Sequence, residues 1–191
     1  ELAACASPQP VLSTYPASYE PPDTLSCGVY VLGPAGFDRD GILTFAGKPI
    51  WSPVPVPCPY LAGGLIFAKS RLFDEVPYDP MVYFIGEEVG LAARAWTRGY
   101  DFFAPSRCII HHYYGRSSAP KHWSDHKNWG ASNDVSQRRV RYVLGTSRER
   151  AAADLDGLNG PLGVGDVRTL EDYQRYAGVN FMRQVLLPKR G

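Results

Sequence analysis

The stretch 86–99, closed at each end by glycine, constrains the fold more than any other part of this chain. Within it Val89, Ala92, Ala93 and Trp96 recur at the i, i+3, i+4, i+7 spacing of one buried helix face. Glu87 and Glu88 fall in the first turn, where carboxylates complement the helix dipole. Gly99 follows as a residue that can leave the helix in a left-handed conformation. The spacing predicts a helix over 86–98. Directly after it, 100–104 reads as a strand stopped by Pro105, and 108–114 as another. In the latter, period-two alternation puts Cys108, Ile110, His112 and Tyr114 on one face and Ile109, His111 and Tyr113 on the other. The expectation is a mixed α/β domain with a short-stranded central sheet and one buried helix.

Proline and glycine punctuate the remainder. With 17 Pro and 19 Gly, the chain should have short elements and long loops. Residues 1–6 read as the tail of a helix halted by Ser7-Pro8, and 11–15 as a short strand ended by Pro16. Residues 28–33 and 41–45 read as strands joined by a loop holding Asp38-Arg39-Asp40-Gly41. Four prolines in 51–60 remove ladder donors, so that stretch cannot be a central strand and should run extended across the surface. Residues 60–68 form an apolar strand broken by Gly63-Gly64. Irregular segments are expected at 16–27, 46–59 and 115–133, the last serving as a lid. A helix over 134–144 and a final one from Thr169, with the spacing of a capping box, make 134–191 a C-terminal helical extension of a single domain, 1–191.

Composition narrows the function classes. Twenty basic against 19 acidic residues leave a net charge of +1, which gives no electrostatic case for nucleic acid or an anionic membrane. No apolar run approaches a membrane span, and Glu1-Leu2-Ala3-Ala4-Cys5 lacks the basic and apolar regions of a signal peptide. Cys5, Cys27, Cys58 and Cys108 are widely spaced, which fits reduced, buried thiols in a cytoplasmic protein better than a disulfide framework or zinc knuckle. Aromatic residues are abundant, with 12 Tyr, 8 Phe and 4 Trp; they suit carbohydrate or nucleotide faces and, more commonly, a core.

Three features could carry chemistry. The four histidines fall between positions 111 and 126. His111 and His112 share a strand, so only one faces any given site; a packed core histidine is the plainer reading. His122 and His126 stand i, i+4 apart with Asp125 between, a spacing that can bind zinc, although the Glu of the HExxH pattern is absent. Glu87 and Glu88 follow the apolar Tyr83-Phe84-Ile85, which would bring the pair out of a buried segment, where carboxylates have partners or a task. The plainer reading is a surface pair that complements the dipole. Gly63-Gly64 is either a bend in a strand or a place where a ligand approaches backbone closely.

Their order along the chain is more specific than any one of them. Ala62-Gly63-Gly64-Leu65-Ile66-Phe67, then Val76-Pro77-Tyr78-Asp79-Pro80, then Phe84-Ile85-Gly86-Glu87-Glu88 resembles the GlcNAc-transferase family of GT-A glycosyltransferases. The resemblance continues through 94–105 to His112-Tyr113-Tyr114-Gly115-Arg116 and resumes at Leu162-Gly163-Val164-Gly165, 168–173 and Gly178-Val179-Asn180-Phe181. It implies a GT-A-like mixed sheet with flanking helices and transfer of a sugar, most often N-acetylglucosamine, from a UDP-sugar to a hydroxyl on a protein or peptide, with retention of configuration. It further implies that Glu87 and Glu88 act at the sugar, that Gly63, Gly64 and Glu87 bind the donor sugar, and that Tyr113 and Arg116 contact the diphosphate or form a lid. His112 takes the position of the imidazole ligand to Mn²⁺ or Mg²⁺; counting by the more distant polypeptide GalNAc-transferases selects His111 instead. Such a cation would neutralise charge on the leaving diphosphate.

One departure from the pattern is plain. GT-A enzymes carry an acidic DxD-like motif ahead of these elements, whereas Asp38-Arg39-Asp40 and Asp154-Leu155-Asp156 stand in the wrong places for it. The expectation is that the nucleotide-binding N-terminal half is missing and that it would be this chain's partner. Two other classes stay open: a non-catalytic carbohydrate- or protein-binding module derived from the fold, and a zinc hydrolase built on His111, His112, His122 and His126.

Overall fold

The computed structural model describes residues 1–115, 119–147 and 156–188, and of His122 the backbone alone. It is a mixed α/β structure. A four-stranded sheet has strand β1 (Pro10–Ser13) parallel to β8 (Asp101–Ala104), with β6 (Val56–Cys58) antiparallel on one edge and β7 (Ile66–Phe67) antiparallel on the other. The two inner strands are buried on both faces. Val11 and Phe102 point into the main core, while Leu12 and Phe103 meet Cys5 and Leu2 on the opposite side. That double burial is why both read as apolar runs rather than alternating ones.

Helix α2 (Glu87–Thr97) covers the main face. Every residue from Val89 to Thr97 is buried, so the apolar stripe of the sequence is one part of a helix enclosed all round. Its neighbours are α4 (Trp129–Val143) and α5 (Leu170–Ala177). Trp96 packs on Tyr173 and Tyr176, with ring centroids 5.5 and 5.7 Å away, and carries the Arg168 guanidinium over its own ring. Both ends of α2 need glycine. Gly86 has φ +87° and Gly99 φ +94°, and a Cβ on Gly86 would fall 2.8 Å from Val140 of α4. The capping box holds as well: Thr169 Oγ1 accepts from the Asp172 N–H at 3.0 Å.

Several expected loops are ordered strands. Segment 16–27 contains β2 (Ala17–Glu20) and β3 (Thr24–Leu25), and 46–59 contains the end of β5 (Leu43–Ile50) and all of β6. Strands β4 (Val29–Phe37) and β5 (Leu43–Ile50) form one long hairpin around the Asp38–Gly41 turn. Its prolines and glycines read as breakers in sequence. A two-stranded ribbon tolerates them because, among the described residues, no further strand pairs with either outer edge, where Pro34 and Pro49 owe no ladder donor, and the register shifts between Pro34 and Gly36. Proline-bearing β6 sits, for the same reason, on a sheet edge.

Other expectations shrink. The apolar strand over 60–68 keeps only β7, because Gly63-Gly64 makes a turn closed by an Ala62–Leu65 bridge. The strand over 108–114 keeps only β9 (His111–His112), parallel to β2. The irregular lid over 115–133 contains the short α3 (His122–Asp125) and the start of α4, which the sequence placed at 134. Ser136, fully buried, anchors that helix by accepting the Tyr83 N–H. Within 134–191 the two expected helices are present as the rest of α4 and as α5, and among the described residues the chain then turns into a hairpin of β10 (Val179–Asn180) and β11 (Val185–Leu186). Among the described residues no helix is long and apolar enough to cross a membrane.

Candidate active site

The N-terminus of α2 meets the Gly63-Gly64 turn. Glu88 Oε1 accepts the Gly63 N–H at 2.7 Å, and a Cβ on Gly63 would stand 3.6 Å from Glu88 Oε1 and 3.8 Å from Glu87 Oε2. The Gly63 backbone therefore faces both carboxylates. Buried Ser13, at the end of β1, fixes the turn: its Oγ accepts the Ala62 N–H and donates to the Leu65 carbonyl, both at 2.8 Å. Gly64 is tied down differently. A Cβ there would lie 2.6 Å from Pro16 Cδ, so close packing of protein against protein already requires this glycine.

Burial raises the pKa of the carboxyls and phenols of this cluster. The Glu87 carboxyl is pushed up by burial, opposed by a hydrogen bond from the Tyr78 hydroxyl. Glu88 is raised by burial and by the neighbouring charge of Glu87, with the Gly63 N–H pulling the other way. Tyr78 and Tyr15 are each pushed up to about 12, chiefly by burial and then by the adjacent carboxylates. Both phenols thus stay protonated as hydrogen-bond donors at neutral pH.

Tyr78 is held in place by charge. Asp79, beside it, makes an ion pair with Arg139 of α4 at 2.8 Å, with side chains 6% and 0% exposed. Arg94 of α2 donates to the Pro77 carbonyl at 2.6 Å. Two buried arginines on two helices therefore pin the loop that presents Tyr78 to Glu87.

A cleft of about 320 Å³ opens over the carboxylates, within the usual range for ligand pockets. Tyr15, Asp38, Phe45, Phe84, Glu87 and Glu88 are among its walls. Tyr15, Tyr78 and Asp38 were not assigned roles from the sequence. Tyr15 follows a predicted strand and Tyr78 belongs to a quoted motif, but nothing local shows that either reaches α2. Asp38 caps its own turn, its Oδ1 accepting the N–H groups of Asp40 and Ile42 at 2.9 Å. Asp40 is turned to α4, accepting from Gln137 and Arg141.

The histidine side is separate but connected. The Pro16 ring packs on Gly64, the Tyr114 hydroxyl donates to the Pro16 carbonyl at 2.9 Å, and the His112 ring lies 4.5 Å from the Tyr114 ring. His112 thus adjoins the carboxylate cleft through Tyr114 and Pro16 without being among that cleft's walls. Its neighbour points elsewhere: His111 Nε2 bonds the Ser26 carbonyl at 3.0 Å. Tyr113, 43% exposed, meets Tyr19 edge-on. Arg116 lies outside the described residues.

Among the described residues no three His, Cys, Asp or Glu side chains gather as metal ligands. His126 packs edge-on against Tyr83. The described residues therefore do not compose a divalent-cation site: such ions demand several oxygen ligands, and His112 offers one imidazole. The four cysteines are free thiols; Cys5 and Cys58 are buried as expected, whereas Cys27 is exposed and Cys108 partly so.

Comparison with known proteins places this arrangement. A search of curated proteins finds no match. The model of the family described as Glycosyltransferase (GlcNAc) matches residues 1–183, which takes in the glycine turn, both carboxylates and His112. The chain belongs to the GlcNAc glycosyltransferase family.

Proposed function

We propose that this chain is the acceptor-side part of a GT-A-type, UDP-sugar-dependent glycosyltransferase that moves N-acetylglucosamine to a hydroxyl of a protein or peptide. The observation that carries the reading is the junction of Gly63 with Glu87 and Glu88 inside a cleft. Partly desolvated carboxylates beside bare backbone suit a hydroxyl-rich ring, because each sugar O–H donated to them replaces a lost water. Glu88, already oriented by Gly63, and Glu87, oriented by Tyr78, accept from the donor sugar. Tyr15, among the cleft's walls, supplies a neutral donor. His112 is proposed as the one imidazole ligand of a Mn²⁺ or Mg²⁺ ion whose oxygen ligands come from the donor diphosphate and from acidic residues outside this set, in a partner N-terminal half. The described residues cannot hold that ion alone. Free thiols are in keeping with the cytoplasm as the proposed compartment.

Calorimetry with UDP-GlcNAc, with and without Mn²⁺, tests the reading. Glu87→Gln and Glu88→Gln should weaken binding in either condition, and His112→Ala should remove only the increment due to Mn²⁺. Binding that ignores both glutamates would sink the assignment. Binding that needs the glutamates and never responds to Mn²⁺, even with the acidic N-terminal half supplied, would favour the non-catalytic carbohydrate-binding module.

A further inference from the structure

The string Asp38-Arg39-Asp40 stands in the wrong place for the acidic motif of a GT-A enzyme, and the structure gives its two carboxylates different surroundings. Asp40 is committed to α4: its carboxylate accepts from Gln137 at 3.1 Å and its carbonyl from Arg141 at 3.2 Å. Asp38 instead is among the walls of the carboxylate cleft. In the proposed function Glu87, Glu88 and Tyr15 serve the sugar. The β4–β5 hairpin, which brings Asp38 and Phe45 to the same cleft, has no task there.

The hairpin holds Asp38 in one orientation. Its Oδ1 accepts the Asp40 and Ile42 N–H groups, both at 2.9 Å. Its own N–H donates to the Ile42 carbonyl, and its carbonyl accepts the Gly41 N–H. Gly41 has φ +76°, and a Cβ there would collide with Gln184, so the C-terminal β10–β11 hairpin braces the turn from outside. Two bonds on Oδ1 fix the carboxylate, while Oδ2 has no hydrogen-bond partner among the described residues. A half-buried carboxylate oxygen calls for a donor. A divalent cation is poorly served, because Asp40 is committed elsewhere and no three acidic, His or Cys side chains gather among the described residues. A sugar is well served. On the same hairpin Phe45 offers the cleft a ring, backed by Tyr60 with centroids 4.5 Å apart, on which the C–H face of a pyranose can pack.

We propose that Asp38 Oδ2 accepts a hydroxyl of the donor sugar, so that the ring is held from two walls, by Glu87 and Glu88 of α2 and by Asp38 and Phe45 of the hairpin. A hydroxyl donated to a carboxylate makes a charge-assisted bond, stronger than one to a neutral acceptor. The proposal rests on the glycosyltransferase reading and adds a residue to its donor site.

Asp38→Asn isolates the contact. Its amide oxygen keeps both turn bonds, and an NH₂ group replaces Oδ2, so the hairpin stays folded while the acceptor becomes a donor. Calorimetry on the 191-residue chain, with UDP-GlcNAc and with UDP as probes, reads the effect. The variant should bind UDP-GlcNAc about tenfold more weakly than the parent, bind UDP no more weakly, and keep the parent's urea midpoint. A second measurement needs no variant: the Asp40 and Ile42 amides, which bond the same carboxylate, should shift in NMR spectra with UDP-GlcNAc and not with UDP. Equal UDP-GlcNAc binding by variant and parent would leave Asp38 as a turn cap alone and overturn the proposal. So would a loss shared equally by UDP, a loss matched by a lower urea midpoint, or amides that UDP-GlcNAc does not move. The two readings fail separately. UDP-GlcNAc binding that needs Glu87 and Glu88 but not Asp38 removes this contact alone; binding that needs none of the three removes the donor-site reading itself.

Discussion

The glutamate side and the histidine side of this molecule are built to different standards. Glu87 and Glu88 start a helix buried all round, and the loop facing them is locked by Arg139–Asp79, Arg94 and Ser13. His112 sits on a two-residue strand among half-exposed apolar and aromatic side chains, with Ile109, Tyr113 and Tyr114 each more than 40% exposed. A pre-organised site and a lightly held one stand side by side. The first is held by contacts within this chain; the second, proposed as a metal ligand, offers a single imidazole among the described residues.

Substitutions should sharpen that contrast. The largest effect belongs to Asp79→Ala, which removes one carboxylate from a buried ion pair with Arg139 and should cost about 3–5 kcal/mol of stability in chemical denaturation. A loss comparable to an exposed ion pair would show that the glutamate side is looser than described. Gly64→Ala comes next. The new methyl meets Pro16 Cδ, and about 1–3 kcal/mol should be lost to overpacking in the same assay. His112→Ala should cost only about 1 kcal/mol, since few elements depend on β9. If it unfolded the chain, the histidine side would be structural.

The smallest effect is electrostatic and has a defined sign. Glu87 and Glu88 both titrate above the usual carboxylate value of 4.5 in the folded chain. The folded state therefore holds their protons more tightly than the unfolded one. That contribution is fully present below about pH 4.5 and is lost as pH rises through the raised values. Glu88→Gln removes part of this dependence while its amide oxygen still accepts the Gly63 N–H. Thermal midpoints of the variant should gain on the parent from pH 4 to pH 7. A gap that stays constant with pH would mean that Glu88 is not desolvated.

How much of this could be read in sequence follows the same divide. Helix α2 was legible because its signals are local: apolar spacing, two acidic residues and two glycines. So were the Thr169 cap and the stop of β8 at Pro105. The β4–β5 hairpin was cut short because breakers matter only where a strand has neighbours on both sides, and neighbours are not in the sequence. Strands β2 and β3 of the three-stranded β3–β2–β9 sheet were missed because each is short and β2 pairs with a strand far along the chain. Glu87 and Glu88 stood out, yet Tyr15 and Tyr78 did not, since each acts across a long gap in the chain. Alternation said that His111 and His112 face opposite ways, but only the Ser26 carbonyl shows which way His111 points.

The claim beneath all of this is that the Gly63–Glu88 junction binds a sugar. Amide NMR of the 191-residue chain titrated with UDP-GlcNAc addresses it most directly. The account predicts that the largest shifts fall on Gly63, Gly64, Glu87 and Glu88, and that Glu88→Ala, which cannot accept the Gly63 N–H, erases them while the spectrum elsewhere stays folded. Shifts confined to other parts of the chain, or shifts at Gly63 and Gly64 that persist undiminished in Glu88→Ala, would contradict it.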